Sequence, residues 1–236
     1  MTLVIVPTYN ERENLPLLIE ALLRHEGMQV LIVDDGSPDG TGAEADRLSA
    51  QSGGRVQVMH RRGPRGLGRS YIDGMRAALA TGAASICQMD ADFSHDPADV
   101  PRLAAAAENA DLVIGSRYVA GGQLRNWPWH RRVLSAFANR YVRAITRLPV
   151  HDATSGFRCW RRELLARLPL DRIASDGYAF QVETTWHARA LGARIREVPI
   201  TFVERRQGAS KLSGRVIAES ALLPWQLSAR HGHNRA

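Results

Sequence analysis

The chain has no run of apolar residues approaching the roughly 18 to 20 that a bilayer-spanning helix requires. Its opening apolar stretch, Thr2 to Pro7, is too short for the core of a signal peptide. These two absences predict a protein that stays in the cytosol. Cysteine is equally scarce. Cys87 lies in an apolar run and Cys159 beside Trp160, which predicts buried thiols and excludes a disulfide framework or redox chemistry. A dinucleotide fingerprint and a P-loop are also missing. The glycine-rich segment Gly63-Pro64-Arg65-Gly66-Leu67-Gly68 follows the third apolar run and has neither spacing, which disfavours a nucleotide oxidoreductase. It reads as a flexible loop or as one that contacts a donor. There is no internal repeat and no linker long enough to divide the chain into two domains.

What is present is a 236-residue chain, 44% hydrophobic, which is enough for one ordinary globular core. Its formal charge of +7 favours anionic partners: a nucleotide, a lipid phosphate, a membrane surface or a nucleic acid. Lys211 is the only lysine, so the basic side chains are otherwise arginines. Codon bias is the first reading of this, and guanidinium forks that suit bidentate phosphate contacts are the other.

Apolar runs at Leu3 to Val6, Val30 to Val33, Val56 to Met59, Ser85 to Met89 and Leu112 to Gly115 alternate with helical patterns. That alternation predicts an α/β fold with a mostly parallel sheet covered on both faces. Asn10 with Glu13 resembles a capping box for a helix holding Leu15, Leu18, Ile19 and Leu22, and Ser37-Pro38 and Asp96-Pro97 read as further helix starts. In the second half the sequence predicts a loop over 117–130, an arginine-rich helix from Arg131 to Arg147 and a polar turn from His151 to Gly156. A helix around Ala179 to Leu191, a strand from Ile195 to Val203, a basic turn from Glu204 to Lys211 and a last helix near Arg215 to Leu227, bent or ended by Pro224, follow.

Ligands of such sheets bind at the carboxyl ends of the strands, and acidic residues collect there. Asp90 and Asp92 follow the fourth run; if the strand continues through them, both carboxylates share one side. Hard oxygen ligands in this position suit Mg²⁺ or Mn²⁺ completed by substrate phosphate, while the alternative is that Asp92 only caps a turn before Pro97. Asp34 and Asp35 can accept from a base or ribose, or sit in a solvated turn. Tyr9 can lie against a nucleobase, and Glu11 is either a ligand contact or a first-turn helix charge. Arg117, Arg131 and Arg205 lie in segments able to close over phosphates, or are simply solvated.

The ordered set of motifs resembles family 2 glycosyltransferases, and among them the dolichol-phosphate and polyprenol-phosphate mannosyltransferases. It is carried by Val6-Pro7-Thr8-Tyr9-Asn10-Glu11-Arg12-Glu13-Asn14, Asp34-Asp35-Gly36-Ser37-Pro38-Asp39-Gly40-Thr41, Met89-Asp90-Ala91-Asp92, Gly115-Ser116-Arg117-Tyr118, Ser155-Gly156-Phe157 and Gly208-Ala209-Ser210-Lys211-Leu212. The resemblance implies a GT-A fold, a Rossmann-like and mostly parallel sheet with helices on both faces. It also implies a catalytic domain over 1–212 and a C-terminal helix and tail over 213–236. The implied reaction is inverting transfer of mannose from GDP-mannose to a polyprenyl phosphate. Carried over by motif, Pro7, Tyr9, Glu11, Val33 and Asp35 contact the donor nucleotide. Asp90, Ala91 and Asp92 serve donor and metal, Ser94 is an extra metal contact, and Arg117, Arg131, Arg205 and Lys211 hold donor or acceptor phosphates.

Many relatives carry transmembrane helices after the catalytic domain, and this chain has none. Access to a lipid acceptor is then expected through peripheral contact with the cytoplasmic face of a membrane, or through a separate membrane-protein partner. Val133, Leu134, Phe137, Tyr141, Ile145 and Leu148 share one helical face, with Arg132, Arg140, Arg143 and Arg147 beside them. That face either lies on an anionic bilayer or packs on the sheet. Two rivals remain at this stage. One is transfer of glucose or another sugar from UDP or GDP to the same class of lipid. The other is a non-catalytic basic module that binds a membrane or nucleic acid. Acidic strand ends argue against nucleic acid, because they repel a phosphate backbone.

Overall fold

The computed structural model describes residues 1–204 and 222–229. Arg205, Lys211, the Gly208–Leu212 motif and most of the expected last helix lie outside the described residues.

In chain order the first half runs β1 (Thr2–Thr8), α1 (Leu15–Leu23), β2 (Met28–Asp34), α2 (Thr41–Gln51), β3 (Val56–His60), α3 (Leu67–Leu79), β4 (Ser85–Gln88), α4 (Val100–Ala106) and β5 (Leu112–Ser116). The second half runs β6 (Gln123–Arg125), α5 (Trp129–Thr146), β7 (Arg158–Arg161), α6 (Arg162–Leu165), α7 (Gly177–Ala190), β8 (Ile195–Pro199) and β9 (Thr201–Val203). Seven strands form one sheet in the order β3-β2-β1-β4-β7-β5-β8, and β6 pairs with β9 in a small second sheet. All pairings in the large sheet are parallel except those of β7 with β4 and β5.

The apolar runs become strands because all but the edge run at β3 are buried on both faces, and the period of two deals alternate residues to opposite cores. Leu3, Ile5, Leu31 and Val33 pack in one cluster with α3 and α7, while Val4, Val6, Val30 and Ile32 pack in the other with α1 and α4. Five expected strands are therefore β1 to β5. The short helical stretch 222–229 joins the first core through Leu223 and Leu227.

Several local expectations fail for identifiable reasons. No capping box forms at Asn10, whose φ is +61° and whose backbone N–H donates to Ser37 Oγ at 3.1 Å; α1 begins after Asn14. Nor does Ser37-Pro38 start a helix. The Ser37 hydroxyl donates to Asp34 Oδ1 at 2.5 Å, and α2 begins only at Thr41. Asp96 does cap a turn, its carboxylate accepting from the Ala98 backbone N–H at 2.9 Å. The expected strand from Ile195 to Val203 breaks at Ile200, where the chain leaves β5 as its neighbour and pairs with β6 instead.

The arginine-rich helix divides its face. Leu148 is buried beyond the helix end, and Tyr141 and Ile145 are half-buried. Val133, Leu134 and Phe137 stand exposed with Trp129, so the N-terminal half of that face does not pack on the sheet.

Candidate active site

The polar residues that follow β1, β2 and β4 converge on one cleft of about 550 Å³. Pro7, Tyr9, Glu11, Asp35, Asp90, Ala91 and Asp92 all line it, so the three acidic strand ends are neighbours in space. Val33 belongs to the core beneath, fully buried, with its methyl against Gly74 of α3. The other wall is made by the Arg65–Ser70 segment and by the start of α7 at Asp176, Gly177, Tyr178 and Gln181.

The carboxylates are held before any ligand arrives. Asp35 takes the guanidinium of Arg61 on one oxygen and the Gly66 backbone N–H on the other, at 2.9 Å. Arg61 also grips Asp73 at 2.7 Å, so one buried arginine ties the end of β3 to Asp35 and to α3. Asp90 lies beyond the end of β4 and not on a continuing strand. One of its oxygens accepts from the Tyr71 hydroxyl at 3.0 Å, and its backbone N–H donates to His95 Nδ1 at 3.5 Å. Burial, and then the charge of Asp90, raise the Tyr71 pKa well above that of an ordinary phenol, so Tyr71 acts as a fixed donor. Asp92 Oδ1 accepts from the Ser94 backbone N–H at 3.0 Å and from the Ser94 hydroxyl. Both readings of Asp92 thus have a structural basis: it closes a turn, and it faces the cleft. Ser94 is buried with its hydroxyl on Asp92, so it orients that carboxylate.

Two glycines of the Gly63–Gly68 segment have a steric reason. A Cβ on Gly66 would sit 2.5 Å from Asp176 Oδ2, and one on Gly68 would sit 2.6 Å from the Ser175 carbonyl. Asp176 thereby reaches the Gly68 N–H and the Gly177 N–H, joining α3 to the start of α7. On the exposed side of the same loop Arg65 lies over the Tyr9 ring, 4.8 Å from its centroid.

A second, smaller cleft of about 40 Å³ adjoins the first and shares Asp90, Thr154, Gly156 and Tyr178 with it. Arg117, Arg131, His95, Trp127 and Phe202 line its remaining sides. Arg131 stacks on Trp127 at 4.3 Å and pairs with Glu204. Arg117 has a duty the sequence did not reveal. It is buried in a bidentate pair with Asp152, both bonds at 2.7 Å, and also donates to Thr154. Burial works against its charge, but the Asp152 carboxylate prevails and raises its pKa above that of a free arginine. His95, stacked on Phe157, is pushed the other way by burial, which lowers its pKa and favours the neutral ring.

Beneath both clefts lies Arg158, fully buried in β7. It donates to the carbonyls of Ala153, Ser155 and Gln181 and to the hydroxyls of Thr184 and Thr185. Burial pulls its pKa down to about 9. These bonds fix the 153–156 turn against α7. A charged residue inside a strand reads in sequence as solvated, which is why Arg158 was not foreseen. Tyr71 and Gln181 were missed because each sits among other polar residues of its helix, and only distant segments of the fold bury it at the cleft.

Among the described residues no group of three or more His, Cys, Asp or Glu side chains could cage a metal. Two oriented carboxylates at an open cleft fit a hard cation that completes its shell with substrate phosphate.

The family model for glycosyl transferase family 2 matches residues 3–168, most of the chain. The chain belongs to glycosyltransferase family 2. Over 222 residues it is 51% identical to a polyprenol monophosphomannose synthase of Mycolicibacterium smegmatis, covering 93% of this chain and 83% of that protein. It is 47% identical over 231 residues to an undecaprenyl-phosphate mannosyltransferase of Micrococcus luteus, covering 97% and 95%. Among solved structures, glucosyl-3-phosphoglycerate synthase from Mycobacterium tuberculosis with Mn²⁺, UDP and glucosyl-3-phosphoglycerate superposes with a TM-score of 0.69 at 21% identity, over 98% of this chain and 80% of that one. At that identity the likeness establishes the fold, and the glycosyltransferase is of GT-A architecture, as the sequence predicted.

Proposed function

We propose that this glycosyltransferase moves mannose from GDP-mannose to a polyprenyl phosphate with inversion at the anomeric carbon. One observation carries the reading: the carboxylate-edged cleft and the arginine- and aromatic-lined cleft meet at Asp90, so a sugar held in the first faces an anion held in the second. The names of the two relatives, at about half identity across nearly the whole chain, support mannose and a polyprenyl phosphate as the substrates.

In this reading Tyr9 and Asp35 face the nucleoside, with Pro7 and Glu11 shaping the pocket around it and Val33 supporting it only from the core below. Asp90 and Asp92, spaced by Ala91, would hold Mg²⁺ or Mn²⁺, with Ser94 orienting Asp92. The ion, when bound, neutralises charge that grows on the departing GDP. Arg131, with Arg117 behind it, holds the acceptor phosphate; Arg205 and Lys211 are proposed for the same anions. A phosphate monoester has a second pKa of about 6, so near neutral pH it is already an anionic nucleophile and no general base is needed. Its oxygen forms the new bond to the anomeric carbon as the bond to the GDP oxygen breaks.

The acceptor is a lipid, and no helix of the described residues is long and apolar enough to cross a membrane. Peripheral attachment to the cytoplasmic face is part of the reading, through the exposed half of α5. That helix carries no acidic residue, exposes Trp129, Val133, Leu134 and Phe137, and bears Arg132, Arg140 and Arg143 on its exposed surface, with exposed Arg147 just past its end. Trp225 extends the patch, its indole N–H donating to the Tyr141 hydroxyl at 2.9 Å. Each arginine near an anionic surface adds about 1 kcal/mol.

The test is transfer itself. Purified protein, labelled GDP-mannose and polyprenyl phosphate should yield a product that partitions into organic solvent only when Mn²⁺ or Mg²⁺ is present, and Asp92→Ala should abolish it while the far-UV spectrum stays native. Transfer from UDP-glucose in preference to GDP-mannose, or turnover unaffected by chelation, would overturn the reading.

A further inference from the structure

The arginine assigned to the acceptor already holds an anion. In the smaller cleft Arg131 Nη1 donates to Glu204 Oε1, and Glu204 lines that cleft with Asp90, His95 and Arg117. Arg117, the other arginine there, is committed to Asp152. Burial favours the neutral ring of His95, so the histidine adds no compensating charge. Among the described residues, each arginine of the cleft is therefore paired with a carboxylate, and an incoming phosphate meets no uncommitted positive charge.

The two pairs differ in what it takes to open them. The Arg117 and Asp152 side chains are 4% and 0% exposed and share two bonds of 2.7 Å, so parting them would strand a buried charge. Arg131 and Glu204 are 22% and 32% exposed and share one bond, so water takes over much of what is lost when they separate. Arg131 has a second support that keeps it in place without its partner. Its guanidinium lies 4.3 Å from the Trp127 ring centroid, and Trp127 is buried edge-on against Phe202. Glu204 is anchored by its backbone N–H, which donates to the Arg125 carbonyl at 3.2 Å, and this leaves its side chain able to swing while the strand stays.

We infer that the Glu204 carboxylate stands in for the acceptor phosphate: it occupies Arg131 in the free protein, yields to the phosphate monoester of the lipid, and takes the arginine back from the product. This rests on the acceptor cleft proposed above. Charge gives the order of events. A monoester carries nearly two negative charges near neutral pH and is drawn to the arginine more strongly than a carboxylate with one. Transfer converts it to a diester with a single charge, the other leaving on GDP, and against a monoanion a tethered carboxylate competes with the advantage of proximity. Glu204 weakens substrate and product by the same factor, and the product, the weaker ligand of the two, is the one released.

The test is calorimetry in GDP and Mn²⁺ with geranyl phosphate and with its methyl diester, for the intact protein, Glu204→Gln, Arg131→Ala and the double variant. Glu204→Gln should bind both ligands about fivefold more tightly with their ratio unchanged, and in turnover its KM for the lipid should fall while that for GDP-mannose stays the same. In the Arg131→Ala background the same change should gain less than about twofold, because the carboxylate acts through that arginine. Weaker binding by Glu204→Gln would show that the carboxylate positions Arg131, and unchanged binding, or the full gain without Arg131, would show a bystander or a distant charge; each result overturns the inference. Geranyl phosphate binding that is indifferent to Arg131→Ala would instead remove the acceptor cleft from the proposed function, and the role of Glu204 with it.

Discussion

Replacing Tyr71 with Phe removes one oxygen from the hydroxyl that orients Asp90 and leaves the ring in place. The ring stacks on Phe180 with centroids 5.9 Å apart and is fully buried, so the core keeps its packing. Two effects then oppose each other. Asp90 is relieved of a donor that competes for its oxygen, which favours a cation, and it also becomes free to rotate away from the position that the 3.0 Å bond enforces. A hydrogen bond to a charged acceptor contributes about 1.5–3 kcal/mol. The Asp90 side chain is 32% exposed, so water recovers part of that, and orientation is expected to win by about 1–1.5 kcal/mol. That corresponds to about tenfold weaker Mn²⁺ binding. The assay is the free-Mn²⁺ electron paramagnetic resonance signal during titration with GDP present, with thermal unfolding as a control for the fold. Affinity that stays the same or tightens would refute the reasoning, since the hydroxyl would then be a competitor of the cation and not its aid.

Arg117→Ala strands the buried Asp152 carboxylate, so it should cost about 3–5 kcal/mol of stability in denaturant unfolding, and an activity loss without such destabilisation would contradict the pairing. Gly68→Ala drives a methyl against the Ser175 carbonyl; about 1–3 kcal/mol of destabilisation and a weakened GDP affinity should appear together, because the strain displaces the Asp176 bridge to α3. Phe137→Glu should leave transfer to a short, detergent-dispersed polyprenyl phosphate intact while reducing cosedimentation with anionic vesicles, and unchanged cosedimentation would remove α5 from the membrane surface.

How much of this was legible depended on whether a residue's partner lies close in sequence. Runs such as Leu3 to Val6 declare themselves, because burial on both faces of a parallel sheet leaves no polar positions. The acidic strand ends were legible for the same reason, since Asp35, Asp90 and Asp92 stand where those runs stop. β7 was not. Its Arg158 is satisfied by carbonyls and hydroxyls scattered from Ala153 to Thr185, and nothing local distinguishes that from a solvated arginine. Asp152 was read as part of a polar turn although it anchors Arg117 across 35 positions. The cap expected at Asn10 failed because Ser37, far along the chain, supplies the acceptor its backbone needs.

The reversed direction of β7 has an outcome for how this enzyme can diverge. Every other strand of the large sheet delivers its end to the reaction edge, whereas β7 departs from it, so the turn at Thr154 to Gly156 arrives there after a long excursion from β5. That excursion contains α5, Trp127 and Arg131, and it is sewn back by Arg117 and Asp152 at its two roots. Most of what edges the nucleotide cleft precedes the excursion, and the start of α7 that closes its other wall follows β7. A lineage can therefore exchange the hairpin-like insert for another receiving partner and keep the nucleotide machinery untouched, provided that the ionic stitch at its base survives.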